Sequence, residues 1–476
     1  MQINNKLLFS ISNMMRTIEV LLISVVLSRF LLDKNVLGEL LQVIFVSSIL
    51  VTLISGLPLS LNFFYGKYDN LKSKQALFGK FSLITLGVST FFCVVIFSFK
   101  STLSSCFQNT MFTSYIYIIL LFYWVKQINT IFPNYHYLKN HLKKYLSLYF
   151  LTFIILFGCF IYNYVFDTFK AEIIILQLFC VELLRLVINT LIIKRKELIF
   201  DVGSYRREEF TYIFNISVGV TLGAFNLYMD KYLIAILLSP TDFVFYQNGA
   251  INLPFVNIIT SSLFIALIPV FAELQAKNKI KELTLEIKKA IFKCSFFLIP
   301  ILVYCFFEAI PLIKFLYGDD FEMSGKVFKI YVLRYSLSVM AFSIFMGSIG
   351  LEKKANAIIA LSALIGLALN VILIPKFHTM GAAWATVVAS LSTIGISFYF
   401  IKKKLNIPII DFFPIKNYFS IILLSVVVYI PFYILNKYFD LKWFVVLASV
   451  IYYFIILVIL NNKFKAFDLK KFFIKV

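Results

Sequence analysis

Charged residues are scarce in this chain of 476 residues, because Asp, Glu, Lys and Arg together make up 14% of it. Soluble proteins have about 25% charged and about 45–50% apolar residues. Hydrophobic residues here make up 61%, and the mean hydropathy is +0.90. The shortage of charge excludes an ordinary soluble protein and predicts an all-α polytopic membrane protein.

Cysteine and histidine are also rare, with six and three residues respectively. No two cysteines form a CxxC pair, and the spacing of His136, His141 and His378 provides no ligand set. We therefore predict neither a disulfide framework nor a metal site. The chain also lacks the G-x-x-x-x-G-K-[ST] loop of P-loop ATPases. We predict no cofactor, and expect that any work the protein performs draws on an H⁺ or Na⁺ gradient, the membrane potential or consumption of product outside.

Long apolar stretches make up most of the sequence. A membrane helix needs about 20 mostly apolar residues. No connection between the stretches is long enough to form a domain. The fourteen predicted spans are 7–32, 37–62, 76–99, 112–132, 145–166, 169–193, 210–238, 242–270, 289–315, 326–349, 355–375, 379–401, 416–435 and 442–461.

Basic residues outnumber acidic ones by 45 to 24, which gives a net charge of +21. In a soluble protein this excess would suggest nucleic acid as a partner. Here the basic residues are concentrated in every second loop, as they are when Lys and Arg collect in the cytoplasmic loops of membrane proteins. The asymmetry predicts that both termini are cytoplasmic and that nucleic acid is not a partner. The basic segments lie at 67–74, 139–144, 194–207, 277–289, 353–354, 402–404 and 463–475.

The order of spans and loops indicates an internal repeat. Two long spans joined by a short turn, followed by a basic loop, occur first around 33–35 and again around 239–242. We therefore predict an N-terminal lobe at 1–200, a C-terminal lobe at 201–405, and two further helices with a basic tail at 406–476. Transporters are often built from such repeats, with the substrate between the halves.

Several ionisable residues fall inside the predicted spans, where each costs about 2.5–3.5 kcal/mol on insertion scales. At 1.5 Å rise per residue, three of the cations lie in the cytoplasmic half of the first six spans. We predict that Arg16, Lys126 and Arg185 form a cationic substrate site, because arginine and lysine bind phosphate oxygens. Polar and aromatic neighbours of Lys126 would suit sugars: Tyr123, Trp124, Gln127 and Asn129.

The outer half of the second six spans contains further charges. Lys231 and Arg334 are predicted to add a second cationic substrate-binding surface. Glu19 and Asp230 are candidates for coupling transport to a proton or cation, although structural pairing is the expected role of both.

A purely structural role is the alternative for the first site. Arg16 and Glu19 are three positions apart, and so are Glu182 and Arg185. Such pairs share a helix face and neutralise each other. On this interpretation the charges stabilise the helices and never contact a substrate.

One local pattern stands out near the end of the second lobe. An apolar run ends at Ile374-Pro375, and a second one opens after a polar turn with Gly381-Ala-Ala-Trp-Ala-Thr386. The residue before a proline is pushed out of the helical region, so we predict a helix end there. The small residues after the turn predict a close approach of two helices.

This pattern, with Asn370 upstream, resembles the signature of Wzx-type polysaccharide flippases of the multidrug/oligosaccharidyl-lipid/polysaccharide (MOP) superfamily. The stretch 222–249, with Asp230 and Tyr246, resembles the seventh-to-eighth helix segment of that family. One departure is His378, which stands where these proteins usually carry glycine. The resemblance covers helices one to twelve. It implies the six-plus-six-plus-two plan of MATE transporters and of the lipid II flippase MurJ.

The resemblance implies a transporter rather than an enzyme. Its substrate would be an undecaprenyl-diphosphate-linked O-antigen or capsule repeat unit, moved from the cytoplasmic to the outer leaflet of the bacterial inner membrane by alternating access. The implied partners are this lipid-linked oligosaccharide, the bilayer, and the polysaccharide polymerase and chain-length machinery.

Three alternatives stay open. A MATE-type drug or cation antiporter would line its cavity with carboxylates and aromatic residues, and the excess of basic candidates argues against it. A lipid II flippase would handle an equally anionic substrate. A membrane polymerase or ligase usually carries a large external loop, and this sequence has none.

Overall fold

A computed structural model describes residues 2–31, 33–68, 71–193, 207–340, 345–347, 349–438 and 442–464. Every regular element among these residues is a helix. The prediction of an all-α membrane protein is confirmed. The basic loop at 194–206 and the tail at 465–476 lie outside the described residues.

The chain divides into two compact units, Met1–Val244 and Phe245–Val476. The helices of the first unit are α1 (Gln2–Phe30), α2 (Lys34–Ile54), α3 (Gly56–Lys67), α4 (Leu71–Ser98), α5 (Lys100–Cys106), α6 (Met111–Ser114), α7 (Ile116–Ile128), α8 (Phe132–Leu138), α9 (Leu142–Val165), α10 (Ala171–Ile192) and α11 (Arg207–Leu237). A 3₁₀ turn at Asn129–Ile131 joins α7 to α8, and predicted span four, 112–132, covers most of α6, all of α7 and this turn.

A short helix, α12 (Pro240–Gly249), crosses the boundary of the units. The remaining helices are α13 (Pro254–Ala276), α14 (Ile280–Phe307), α15 (Ala309–Tyr317), α16 (Glu322–Ser338), α17 (Glu352–Leu405), α18 (Ile409–Phe412), α19 (Ile415–Tyr438) and α20 (Lys442–Phe464). Proline inside α13, α14 and α19 interrupts their helical hydrogen bonds at Pro269, Pro300 and Pro431.

Helix α11 packs with the first unit, although the sequence analysis assigned it to the second lobe. Two glycines show how closely it approaches. A Cβ on Gly56 would lie 2.7 Å from Cα of Ser217 on α11, and a Cβ on Gly38 would lie 2.1 Å from the carbonyl oxygen of Pro240, just after α11. The predicted lobe limits themselves stay a prediction.

Nine helices in the described part of the chain are long and apolar enough to cross a membrane. Their outward faces keep large apolar side chains exposed, such as Phe91 and Val94 on α4 and Phe150 and Ile161 on α9. A soluble protein would not expose such continuous apolar faces, whereas lipid tails cover them without cost. The multi-pass membrane assignment is confirmed, while the count of fourteen spans stays a prediction.

The longest helix, α17, contains the pattern around Pro375. His378 has φ 51° and ψ −134°, so α17 is two helices joined at a sharp kink. After the kink, a Cβ on Gly381 would lie 2.2 Å from the carbonyl oxygen of Leu373, and Ala382 and Ala383 are fully buried. The predicted close approach is confirmed. The break lies at His378, three residues after the predicted helix end, and Pro375 itself stays inside the helix.

Candidate functional site

The centre of the candidate site is Arg185 on α10, of which only 5% is exposed. Its Nη2 lies 2.6 Å from Oε1 of Glu19 on α1, and its Nη1 lies 3.0 Å from Oε1 of Glu182. Its Nε donates to Oγ1 of Thr152 on α9 at 2.9 Å. One guanidinium therefore joins three helices of the first unit.

Tyr149 completes the surroundings of this guanidinium. The Arg185 guanidinium carbon lies 4.2 Å from the centre of the Tyr149 ring, and the Tyr149 hydroxyl donates to Glu19. Arginine has five N–H donors in a fixed fork, and Arg185 makes four hydrogen bonds to Glu19, Glu182 and Thr152. We infer that Arg185 positions the two carboxylates and has little donor capacity left for a ligand.

Glu182 is held from a second side. Nδ2 of Asn129, in the 3₁₀ turn after α7, donates to its Oε2 at 2.7 Å and to its backbone carbonyl at 2.9 Å. The Glu182 side chain keeps 14% of its surface exposed, more than Glu19 or Arg185. Glu182 is therefore the more accessible of the two carboxylates.

Lys126 on α7 is held by a hydroxyl group rather than by a carboxylate. Its Nζ donates to Oγ of Ser47 on α2 at 2.9 Å and lies 5.0 Å from the centre of the Phe122 ring. It is half-buried and forms no ion pair within the described part of the chain. The charges of Glu182 and Glu19 nevertheless act on it, so it belongs to the same cluster.

Arg16 lies at the edge of this cluster. It donates to Oδ1 of Asn13, one turn earlier on α1, and not to Glu19. It is half-buried, and its charge acts on Tyr145, as do the charges of Arg185 and Glu19. The structure thus brings all three predicted cations of the first site to one region.

The cluster has three cations, Arg16, Lys126 and Arg185, and two carboxylates, Glu19 and Glu182. Their formal sum is 3 − 2 = +1. The i,i+3 pair of Glu182 and Arg185 forms as the structural alternative predicted. The pair of Arg16 and Glu19 does not form, because Glu19 binds Arg185, which lies 166 positions further along the chain.

The proposed sugar-contacting residues divide into two groups. Tyr123 and Gln127 are fully buried, and the Tyr123 hydroxyl donates to the carbonyl of Val43 at 2.8 Å. They lie in the interior of the unit. Trp124 and Asn129 are half-buried.

The remaining predicted residues lie elsewhere. Asp230 and Lys231 are buried on α11 in the first unit, with 4% and 7% exposure, and Oδ1 of Asp230 accepts the backbone N–H of Lys231 at 2.8 Å. Arg334 is in the second unit, where it donates to the Tyr331 hydroxyl at 2.8 Å and lies over that ring. The second cationic surface and the coupling roles of Glu19 and Asp230 stay predictions.

Two polar groups of the first unit were missed by the sequence analysis. Lys80 on α4 forms a buried ion pair with Glu209 at the start of α11, and the Tyr68 hydroxyl donates to the same carboxylate at 2.7 Å. Glu39 on α2 is buried and accepts a hydrogen bond from Thr110 at 2.9 Å. Lys80, Glu209 and Glu39 each lie within five residues of the end of a predicted span, where charged residues are common. Only their burial in the structure distinguishes them from other charges near span ends.

One carboxylate of the second unit has a comparable environment. Glu308, after α14, is 4% exposed, and the hydroxyl of Tyr429 on α19 donates to its Oε1 at 2.5 Å. The Tyr429 ring also stacks on Phe307 with centroids 4.8 Å apart. This contact fastens one of the two C-terminal helices to the rest of its unit.

Solved structures share this fold. The lipid II flippase MurJ in an inward closed conformation matches with a TM-score of 0.71 at 16% identity, over 96% of this chain and 98% of that chain. An inward-facing multidrug resistance MATE family transporter of the MOP superfamily matches with 0.63 at 12%, over 82% and 95%. A MOP superfamily transporter from Pyrococcus furiosus matches with 0.55 at 13%, over 86% and 96%.

At these identities the likeness shows the fold alone. No curated protein matches the sequence. The family model described as polysaccharide biosynthesis protein matches residues 71–326, which is more than half of the 476 residues. The chain therefore belongs to this flippase family of polysaccharide biosynthesis proteins.

Proposed function

We propose that this protein moves an undecaprenyl-diphosphate-linked oligosaccharide, an O-antigen or capsule repeat unit, from the cytoplasmic to the outer leaflet of the bacterial inner membrane. Family membership supports a lipid-linked precursor of a polysaccharide. The observation that carries the proposal is Lys126, a half-buried cation held by Ser47 without a carboxylate in contact. An anionic headgroup fits such a cation.

The three cations have different parts in this proposal. Lys126 binds the diphosphate as a point charge with donors to spare. Arg16 extends the positive region on α1. Arg185 acts through Glu19 and Glu182, because its own donors are already bound. The net charge of +1 attracts a diphosphate without trapping it, which a transporter needs for release.

Transport proceeds by alternating access, as expected for a repeat-built transporter. The lipid tail stays in the bilayer while the diphosphate and sugars pass through the protein. Lys231 and Arg334 serve as a later cationic surface, and the product passes to a polymerase and its chain-length machinery.

The test measures the sidedness of the lipid-linked oligosaccharide in cells that are depleted of this protein and then supplied with variants. Depletion is expected to leave the precursor on the cytoplasmic face. Lys126→Ala at normal protein level is expected to reproduce that result. Lys353→Ala, which removes an exposed lysine at the start of α17, is the matched control and is expected to behave like the wild type.

Each other outcome is informative. Accumulation on depletion but normal export by Lys126→Ala would keep the function and discard the site. Normal export after depletion, together with altered drug sensitivity, would favour the antiporter. Accumulation of lipid II in place of the oligosaccharide precursor would identify a lipid II flippase, whose substrate carries the same diphosphate and suits Lys126 equally well.

A further inference from the structure

Helix α11 is fastened at its two ends and open along its middle. In its first turn Glu209 forms a buried ion pair with Lys80, and in its last turn Ile234 is fully buried. None of residues 210–228 between them is buried. The apolar core of α11 has no buried residue, whereas the other eight candidate spans of the described chain bury between 22% and 67% of theirs. The middle of α11 therefore presents an open face.

Two asparagines lie on this open face. Asn215 and Asn226 are both exposed. At 3.6 residues per turn their spacing places them on one side of the helix, about 16 Å apart along its axis. Ser217 lies on the opposite side, where a Cβ on Gly56 of α3 would come within 2.7 Å of its Cα. The asparagine face is thus turned away from the helix on which α11 packs.

Amides elsewhere inside the predicted spans are hydrogen-bonded. Asn163 and Gln177 exchange two hydrogen bonds of 2.9 and 3.0 Å, and Asn189 donates to a backbone carbonyl one turn earlier at 2.8 Å. Within the described part of the chain, the side chains of Asn215 and Asn226 form no hydrogen bond. Polar groups without partners are unfavourable against lipid tails, and inside spans they face the protein interior or a water-filled cavity. The two amides are therefore available to water or to a polar ligand.

The chemistry of this face fits a carbohydrate. An asparagine amide has one carbonyl acceptor and two N–H donors, which match sugar hydroxyls because each hydroxyl both donates and accepts. Residues 210–229 contain no charged side chain, so the face suits neutral sugars and not a diphosphate. Between the two asparagines, a Cβ on Gly219 or Gly223 would meet nothing within 4 Å. A ligand can therefore approach the helix closely there.

The face belongs to the same group of helices as Lys126. Helix α2 carries Ser47, whose Oγ accepts from Lys126 at 2.9 Å. Two residues earlier on α2, the ring of Phe45 packs on that of Tyr228 of α11 with centroids 6.0 Å apart. The cation and the amides thus lie on neighbouring helices of one unit.

We propose that the face of α11 formed by Asn215 and Asn226 binds the sugars of the lipid-linked oligosaccharide. The identity of this ligand rests on the proposed function. The diphosphate binds at Lys126, and the sugar chain extends along α11, where the amides hydrogen-bond its hydroxyls. Because the amides are about 16 Å apart, they contact different sugars of the chain.

The first test is photo-crosslinking in the full-length protein. Leu222, which is 61% exposed and lies between the two asparagines, is replaced with the photo-reactive amino acid benzoylphenylalanine. Illumination of cells that make the precursor is expected to give an adduct in which mass spectrometry finds the sugars. The same replacement of Phe150 on α9, which is 52% exposed, is the control and is expected to give phospholipid adducts. At Leu222, an adduct with phospholipid or a second copy of the chain but without sugars, or no adduct, would overturn the proposal.

The second test uses Asn215→Leu/Asn226→Leu. At normal protein level this variant is expected to reduce export at least tenfold in the sidedness assay. Its Kd for farnesyl diphosphate, which has no sugar, is expected to stay within twofold of the wild-type value. Asn356→Leu, which replaces an exposed amide in the second turn of α17, is the matched control and is expected to export normally.

The outcomes separate this site from the proposed function. Accumulation of the precursor on depletion, but normal export by Asn215→Leu/Asn226→Leu, would overturn the sugar site and leave the function intact. A loss of farnesyl diphosphate binding in this variant would also overturn it, because the amides would then act on the diphosphate. Unchanged sidedness on depletion of the whole protein would overturn the proposed function. In that case the adduct at Leu222 still decides whether this face binds a carbohydrate.

Discussion

Arg185 and Glu19 form an ion pair with 2.6 Å between Nη2 and Oε1, although 166 positions separate them in the sequence. Their side chains are 6% and 8% exposed. The pair fastens α10 to α1 in the region where Lys126 and Arg16 also lie. Because of this pair, the candidate site contains both cations and carboxylates rather than cations alone.

Removal of Arg185 is expected to destabilise the protein. Arg185→Ala leaves the buried Glu19 and the half-buried Glu182 without this cation, and breaking a buried pair costs about 3–5 kcal/mol. Thermal unfolding in detergent is expected to show a lower melting temperature. Glu19→Gln/Arg185→Gln, which removes both charges of the pair, should recover part of the loss. Equal melting temperatures for Arg185→Ala and the wild type would contradict the proposed positioning role.

Neutralising Glu182 is expected to strengthen anion binding. Glu182→Gln raises the formal charge of the cluster from +1 to +2 and leaves a group that still accepts from Asn129. One added unit of charge at a partly buried site is expected to tighten the Kd of farnesyl diphosphate about tenfold, which corresponds to about 1.4 kcal/mol. Calorimetry on the purified protein measures this. Lys126→Gln should weaken binding, and a Kd that neither variant changes would argue against a diphosphate site.

The buried pair of Lys80 and Glu209 gives a second stability prediction. Lys80→Met removes the buried lysine that pairs with Glu209 and is expected to cost about 3–5 kcal/mol, whereas Lys80→Met/Glu209→Leu is expected to be near neutral. Melting temperatures of the purified variants measure both effects. Lys67→Met is the control, because Lys67 pairs with Glu208 at 3.5 Å on the surface, where a pair contributes at most about 1 kcal/mol. Equal losses for the single and the double variant would refute the prediction.

The kink of α17 predicts that glycine in place of His378 stabilises the protein. His378 has a positive φ of 51°, a conformation that glycine adopts without the strain a side chain brings. His378→Gly is therefore expected to raise the free energy of unfolding by about 1 kcal/mol. A higher melting temperature checks it, and a lower one would show that the imidazole makes a contact worth more than the strain.

A substitution of Gly381, next to the same kink, is expected to destabilise the protein. A Cβ there would lie 2.2 Å from the carbonyl oxygen of Leu373, and backbone cannot move aside as a side chain does. Gly381→Ala is expected to lower stability by about 1–3 kcal/mol and to reduce the amount of protein in the membrane. Expression and melting temperature equal to the wild type would show that the two helices can separate without loss.

Much of the fold was predictable because membrane helices are a local property of the sequence. A break before Gly381 was predicted from Pro375, and the structure places the kink three residues later, at His378. The division of the chain was harder, because nothing in the apolar pattern of α11 shows which neighbours it packs against. Gly38 and Gly56 accept Pro240 and Ser217 only once the helices are assembled.

The sequence predicted which cations belong to the candidate site, but not which residues they contact. The rarity of charge inside apolar spans identified Arg16, Lys126 and Arg185. The same reasoning passed over Glu39 and Lys80, because charges near the ends of spans are common. Burial decides their importance, and burial depends on neighbours from distant parts of the chain.

That this chain spans a membrane and is helical follows from its amino-acid sequence, because both depend on the transfer of each segment out of water. Which charges meet depends on how the helices are arranged in the folded protein. Glu19 pairs with Arg185 and not with Arg16, and Glu39 meets Thr110 rather than a cation. Electrostatic energy depends on distances in space, and positions along the chain do not encode them.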